Sequence, residues 1–157
     1  MLLLLVAACG LPRDPEGTLK HVRGGTMRVG MAIDTPWVTD SAGGAGGIEG
    51  AIVRDLARRT GSRVEWERGT AADVLDALKE RDVDLVIAGL TAESPYGAKV
   101  AFTRPYYTDT TMVRGERREE QHVVAVSPGE NAWQVEVEEL LRAKRGEFPA
   151  LRHARPR

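Results

Sequence analysis

Apolar residues follow two different periods along the first part of the chain. Large apolar side chains at positions 27, 29, 31 and 33 recur at every second residue, which predicts a β-strand that starts at Met27. Between positions 48 and 57 they recur at helical spacing with charged residues on the other face, and Gly61 is the predicted helix stop. The glycine-rich stretch 41–47 between them is predicted to be a flexible loop.

The alternation of strand and helix patterns continues after Gly61. Residues 63–67 are typical of a second strand, and Thr70 is the predicted N-cap of a helix that ends at Lys79. The run 84–89 is almost continuously apolar, as in a central parallel strand that is buried on both faces. The order β-α-β-α-β predicts a parallel sheet with right-handed crossovers.

The pattern changes after Gly89. Short strands are predicted at 100–102, 110–113 and 122–126, and the charged run 114–120 is predicted to be a solvated loop. A last helix follows, with apolar positions 135, 137, 140 and 141.

The two ends of the chain are predicted to lie outside the folded unit. Residues 1–9 form a short apolar run that ends in Val6-Ala7-Ala8-Cys9, which resembles a bacterial lipobox with Cys9 as the lipid anchor. The alternative is a miscellaneous apolar start with a buried or free thiol, because no Lys or Arg precedes the run. Residues 10–25 are predicted to be a flexible tether, and 151–157 a disordered basic tail.

Composition and charge narrow the function. The chain has 157 residues, enough for one domain, and a net charge of −1 with 5% aromatic residues, so we expect no nucleic-acid partner. The three histidines have no metal-ligand spacing, and no phosphate-binding loop or nucleophile elbow occurs. We therefore expect no enzyme activity, no catalytic residue, no metal and no cofactor.

Four motifs, in this order and spacing, carry a resemblance to a known family. They are Met27-Arg28-Val29-Gly30, the segment 50–57 before Thr60-Gly61, the segment 84–91, and Phe102-Thr103-Arg104-Pro105-Tyr106-Tyr107. The stretch 27–107 resembles the first lobe of the family 3 bacterial extracellular solute-binding proteins, the receptors of amino acid ABC importers. The resemblance implies an α/β fold: a single three-layer α/β/α lobe of the periplasmic-binding-protein type II fold, mostly parallel with a mixed edge.

The resemblance also shows what this chain lacks. In the family the chain leaves lobe one after the Phe-Thr-x-Pro-Tyr region, builds a second lobe and returns. Here only residues 108–121 separate the departure from the returning strand and helix at 122–145, whereas a lobe needs on the order of a hundred residues. We therefore expect one lobe over 26–150, in which a shortened connection replaces the second lobe.

Ligands of open parallel sheets bind beyond the carboxyl ends of the strands. This places Asp34 and Trp37 of the first loop beside Leu90 and Thr91 of the third, and the resemblance implies an aromatic contact from the first and a Thr or backbone contact from the second. Glu49 is expected on the same rim, kept ionised by the helix N-terminus and suited to an amine. Each has an alternative role, in which Trp37 covers the core, Thr91 caps a turn and Glu49 is a solvated loop carboxylate or a cap.

One departure from the family concerns the ligand. Relatives carry an arginine five residues after the Thr of the Gly-x-Thr motif, and its guanidinium holds the α-carboxylate of the ligand. Here that position is Tyr96, so we do not expect a free amino acid to be held in this way. The expected function is a truncated extracytoplasmic, lipid-anchored receptor of an ABC-type importer. Its expected partners are a weakly held small polar solute, an ABC permease or other membrane protein, and the membrane. The alternative is a single-lobe interaction module that does not transport.

Overall fold

The computed structural model describes residues 13–153. Its helices are Thr18–Val22 (α1), Gly47–Thr60 (α2), Ala71–Lys79 (α3), Asn131–Lys144 (α4) and Phe148–His153 (α5). Its strands are Thr26–Met31 (β1), Thr39–Ser41 (β2), Gly44–Gly46 (β3), Arg63–Arg68 (β4), Leu85–Ile87 (β5), Ala101–Phe102 (β6), Tyr107–Val113 (β7), Glu116–His122 (β8) and Ala125–Val126 (β9). A 3₁₀ turn lies at Pro95–Ala98.

A five-stranded sheet in the order β4-β1-β5-β9-β6 forms the centre of the molecule. Strands β4 and β5 both pair with β1 in parallel, whereas β9 runs antiparallel to its two neighbours, β5 and β6. Helix α3 covers one face, and α1, α2, α4 and α5 cover the other. The predicted fold class, a mostly parallel three-layer α/β/α lobe with a mixed edge, is confirmed.

Local signals explain where α2 ends and where α3 begins. Gly61 takes a left-handed conformation (φ 67°) and ends α2, as its position predicts. Glycine suits this position because any other side chain would be strained in that conformation. Thr70 accepts a hydrogen bond from the Asp73 backbone, and the Asp73 side chain accepts one from the Thr70 backbone. This reciprocal capping box fixes the start of α3 below the sheet.

The returning segment packs on the sheet that starts at Met27. Strand β9 is inserted between β5 and β6, and the indole Nε1 of Trp133 in α4 donates to the Asp84 carbonyl at 2.8 Å. Trp133 and Val137 are fully buried in the main core cluster. Residues 122–141 therefore complete the lobe and do not form a separate unit.

The segment that was expected to be a short loop is a regular β-hairpin. Strands β7 and β8 pair in register from Tyr107–His122 to Val113–Glu116 around the two-residue turn Arg114-Gly115. Both turn residues have positive φ (52° and 83°), the conformation that matches the twist of a two-residue hairpin. The prediction of a loop at 114–120 was wrong because an isolated hairpin can turn most of its charged side chains to solvent, as residues 116–119 do. Another hairpin, β2–β3, replaces most of the flexible loop predicted at 41–47.

The chain termini also differ from the prediction. Within the supposed tether, Thr18 and Val22 of α1 are buried. The carboxylate of Glu130 accepts the backbone N–H groups of Glu16 and Thr18 at 3.1 and 3.2 Å, so this segment is docked on the lobe. Of the predicted disordered tail, 151–153 belong to α5. The signal, Cys9 and residues 154–157 lie outside the described residues.

Candidate functional site

The loops that follow β1 and β5 meet at the carboxyl edge of the sheet. Asp34 stands so close to Gly89 that a Cβ atom on Gly89 would lie 1.9 Å from the Asp34 Oδ2. Gly89 also has a left-handed backbone (φ 60°), so both space and conformation require glycine here. The predicted meeting of the first and third loops is therefore observed.

Glu49 lies beneath this edge. Its side chain is fully buried at the first turn of α2, and it accepts hydrogen bonds from the Gly89 backbone N–H at 3.1 Å and from the Tyr106 hydroxyl at 2.8 Å. Burial raises its pKa to about 7, although these two hydrogen bonds act in the opposite direction. The expectation of a rim carboxylate kept ionised by the helix N-terminus was wrong, and so was the alternative of a solvated loop carboxylate, because the side chain is fully buried and desolvation disfavours its charged form.

Trp37 is buried among other rings. Only 6% of its surface is exposed, and its ring is stacked on the imidazole of His122 with centroids 3.6 Å apart and planes at 26°. Tyr107 adds a tilted contact at 5.7 Å. The indole therefore does not present an open face to solvent, and it covers the core as the alternative interpretation held. The sequence placed His122 in an apolar run, but nothing in its spacing pointed to Trp37.

The backbone of the third loop is paired with the returning chain. The Leu90 carbonyl accepts the Val123 N–H at 2.9 Å, and the Ala92 N–H donates to the Gln121 carbonyl at 2.8 Å. Thr91 forms an antiparallel bridge with His122. The side chain of Leu90 is buried and that of Thr91 is half-buried. The predicted backbone contact from this loop would therefore compete with pairing inside the chain.

Asp34 is the most accessible of the predicted rim residues. Partial burial and, next, the charge of Glu120 raise the pKa of Asp34. Glu120 belongs to β8 and is paired across the hairpin with Asp109. The first loop and the hairpin thus bring charges of the same sign to this edge, and a bound cation would be favoured there. Glu120 was missed from the sequence because its charged run was assigned to a loop.

Tyr96 occupies the position at which the family resemblance implies a ligand-binding arginine. Tyr96 lies in the 3₁₀ turn, where its half-buried ring packs against the cluster that lies under α3. The nearest arginine in sequence, Arg104, has an 88% exposed side chain that faces Glu138. Neither residue provides a guanidinium beside Thr91.

The described residues contain neither a metal cluster nor a membrane span. In residues 13–153 no group of three or more histidine, cysteine, aspartate or glutamate side chains has a geometry that could hold a metal ion. Over the same range no helix is both long and apolar enough to cross a bilayer.

The fold defines a class, the single α/β/α lobe of the periplasmic-binding-protein type II fold. The profile of the bacterial extracellular solute-binding proteins, family 3, matches residues 27–148. The chain belongs to this family. No curated protein matches it in sequence.

Solved structures agree with this assignment at the level of the fold. The arginine-bound form of domain 1 from TmArgBP superposes with a TM-score of 0.65 at 24% identity, over 79% of this chain and 97% of that one. An ancestral cationic amino acid solute-binding protein gives 0.72 at 18% identity, over 86% and 97%. An arginine-specific periplasmic binding protein of Salmonella typhimurium gives 0.66 at 12% identity, over 80% and 96%.

Proposed function

We propose that this lobe binds a small cationic solute, an amino acid or an amine, at the edge formed by Asp34 and the β7–β8 hairpin. The observation that carries the proposal is the position of Asp34, an exposed carboxylate that stands against Gly89 where the first and third loops meet. Partial burial and, next, the charge of Glu120 in the hairpin raise the pKa of Asp34. A bound ammonium or guanidinium group would pair with the Asp34 carboxylate and would be favoured by the negative charge of Glu120. The absence of a guanidinium at Tyr96 favours recognition through the ligand's positive charge over recognition of its carboxylate.

A single lobe can hold such a ligand, as similar proteins indicate. Domain 1 of TmArgBP, the single domain described above, has been solved in an arginine-bound form. Because a lone lobe leaves one face of the ligand in water, the affinity should be lower than in a two-lobed receptor that closes over its ligand.

Calorimetry on the purified chain tests the proposal. L-arginine, L-lysine and putrescine, an amine without a carboxylate, should bind, whereas L-glutamate should not. Asp34→Asn should weaken arginine binding about 10-fold, the effect of losing one partly solvated charge contact. Asp82→Asn is the matched control, since Asp82 is an exposed carboxylate that precedes β5 at the opposite edge of the sheet. Equal binding of glutamate and arginine, or no binding of any cation, would refute the proposal.

We further propose that the lobe is tethered through a lipid on Cys9 and that it serves an ABC-type importer. The lipobox resemblance at 6–9 and the membership of an extracellular family support this location. Metabolic labelling with an alkynyl palmitate should mark the wild type but not Cys9→Ala. Co-purification of a permease with the lobe, enhanced by arginine, would support the transport role.

A second candidate function is a protein interaction module. One observation favours it: Met112, near the tip of the hairpin where a second lobe would begin, is 68% exposed. This alternative is the better description if Met112→Ser abolishes co-purification of a membrane protein and arginine binding is either unchanged by the substitution or not detected in the wild type.

A further inference from the structure

The hairpin places one of its own side chains in the candidate site. His122, the last residue of β8, is paired on one side with Tyr107 of β7 and bridged on the other side to Thr91 of the third loop. Its carbonyl accepts the backbone N–H of Tyr106 at 3.0 Å. Backbone pairing on both sides fixes the direction of the His122 side chain, which is 2% exposed.

That side chain covers one face of the Trp37 indole. The imidazole and indole planes lie nearly parallel, at 26° with centroids 3.6 Å apart, which is the separation of a tightly stacked pair. A planar guanidinium that stacked on an indole would take the same separation and orientation. One ring face cannot hold both groups.

We infer that His122 is an affinity-determining residue, a built-in occupant of the Trp37 face with which a cationic ligand has to compete. The inference rests on the proposed function, because it concerns the same edge of the sheet. The competition involves the pairing of residues 121–123 with 90–92, since the imidazole cannot leave the indole unless this short ladder shifts. In the free lobe, this face of Trp37 is therefore already occupied by a side chain of the same molecule.

Two variants should release this surface by different routes. His122→Ala removes the imidazole, and arginine should then bind about 3- to 10-fold more tightly, the ratio that corresponds to one aromatic stacking contact. Ala92→Pro deletes the N–H that donates to the Gln121 carbonyl at 2.8 Å. It therefore weakens the pairing of residues 121–123 with 90–92 but retains the imidazole. It should change the affinity in the same direction by a smaller factor. His122→Phe retains a stacked ring and is the matched control, with an affinity like that of the wild type.

The experiment is calorimetric titration of each purified full-length variant with L-arginine, accompanied by far-UV circular dichroism to establish folding. Tighter binding by His122→Ala or Ala92→Pro, with no gain for His122→Phe, supports the inference even if the wild type binds too weakly to detect. An affinity that is unchanged or reduced in a folded His122→Ala overturns it, as does an equal gain for His122→Phe. If His122→Ala does not fold, Ala92→Pro alone decides. Binding by the wild type separately decides the proposed function.

Discussion

The Tyr106 hydroxyl donates a hydrogen bond to the Glu49 carboxylate at 2.8 Å, and both side chains are buried. The bond joins the first turn of α2 to the segment between β6 and β7, which are 57 residues apart in sequence. The other oxygen of Glu49 accepts the Gly89 N–H. One carboxylate thus connects three parts of the chain beneath the candidate site.

Because burial raises the pKa of Glu49 from 4.5 to about 7, the folded lobe should lose stability as the pH rises from 5 to 8. The folded state holds this proton over a range in which the unfolded state has released it, so the penalty is absent below about pH 4.5 and complete above about pH 7. It should amount to about 3 kcal/mol. Urea unfolding at several pH values measures it.

Glu49→Gln is the matched variant, since it keeps the shape and removes the charge. Its free energy of unfolding should lose most of this pH dependence, and Asp34, whose pKa is also raised, accounts for a smaller remainder at lower pH. Tyr106→Phe should be more destabilising at pH 8 than at pH 5, because the ionised carboxylate then loses a donor. Parallel pH profiles for Glu49→Gln and the wild type would contradict this account.

The opposite edge of the sheet depends on Asp84, which is 2% exposed. Its carboxylate accepts the Arg28 backbone N–H at 2.8 Å and the Arg28 guanidinium at 2.7 Å, and it lies 3.0 Å from His21 Nε2. Asp84→Ala should cost about 2 to 3 kcal/mol, since these groups lose a buried partner together. Asp82→Ala, an exposed neighbour, should change stability by less than about 0.5 kcal/mol. Thermal unfolding of the two variants makes the comparison.

Glu130 holds the N-terminal segment on the lobe. Burial alone would raise its pKa, but the interaction with the neighbouring Asp14 carboxyl and the hydrogen bonds donated by the Glu16 and Thr18 backbone N–H groups lower it to about 2. Glu130→Ala should release α1, so that trypsin cleaves rapidly after Lys20 and Arg23 under native conditions. Glu147→Ala, an exposed carboxylate elsewhere on the lobe, should leave this region protected. Equal cleavage rates in the two variants would show that Glu130 does not hold the helix.

The hairpin turn can be improved. Arg114 adopts φ 52°, a conformation that a long side chain tolerates poorly and that asparagine accepts readily. Arg114→Asn should therefore stabilise the lobe by about 0.5 kcal/mol, and Gly115→Ala should destabilise it by about 1 kcal/mol. Arg117→Asn, the same substitution within strand β8, should have no stabilising effect, because asparagine is disfavoured in strands. A higher melting temperature for Arg114→Asn alone would confirm the turn geometry.

The sequence predicted the sheet and helices α2, α3 and α4 well, because those elements carry strong periodicity and local start and stop signals such as Thr70 and Gly61. It failed where tertiary contacts override composition. The segment that holds α1 is rich in Gly and Pro, and its order depends on Glu130, more than a hundred residues away. The charged strand β8 has no apolar alternation at all, so its pairing could not be read from its own residues.

The candidate site was predicted less well than the fold. The topology brought Asp34 to Gly89 as expected, since the carboxyl ends of parallel strands share one edge. The sequence could not show that Glu49 turns inward, because its direction depends on donors from Gly89 and Tyr106. Nor could it place His122 on Trp37, a contact that exists only because the returning chain crosses the rim.

The turn at Arg114-Gly115 has a further consequence for engineering. Its two flanking strands run side by side, so their ends are already at the spacing that a compact inserted domain with adjacent termini requires. A fluorescent protein or an entire foreign lobe could be spliced in there without stretching the host. The lobe is therefore a suitable host protein for a genetically encoded sensor.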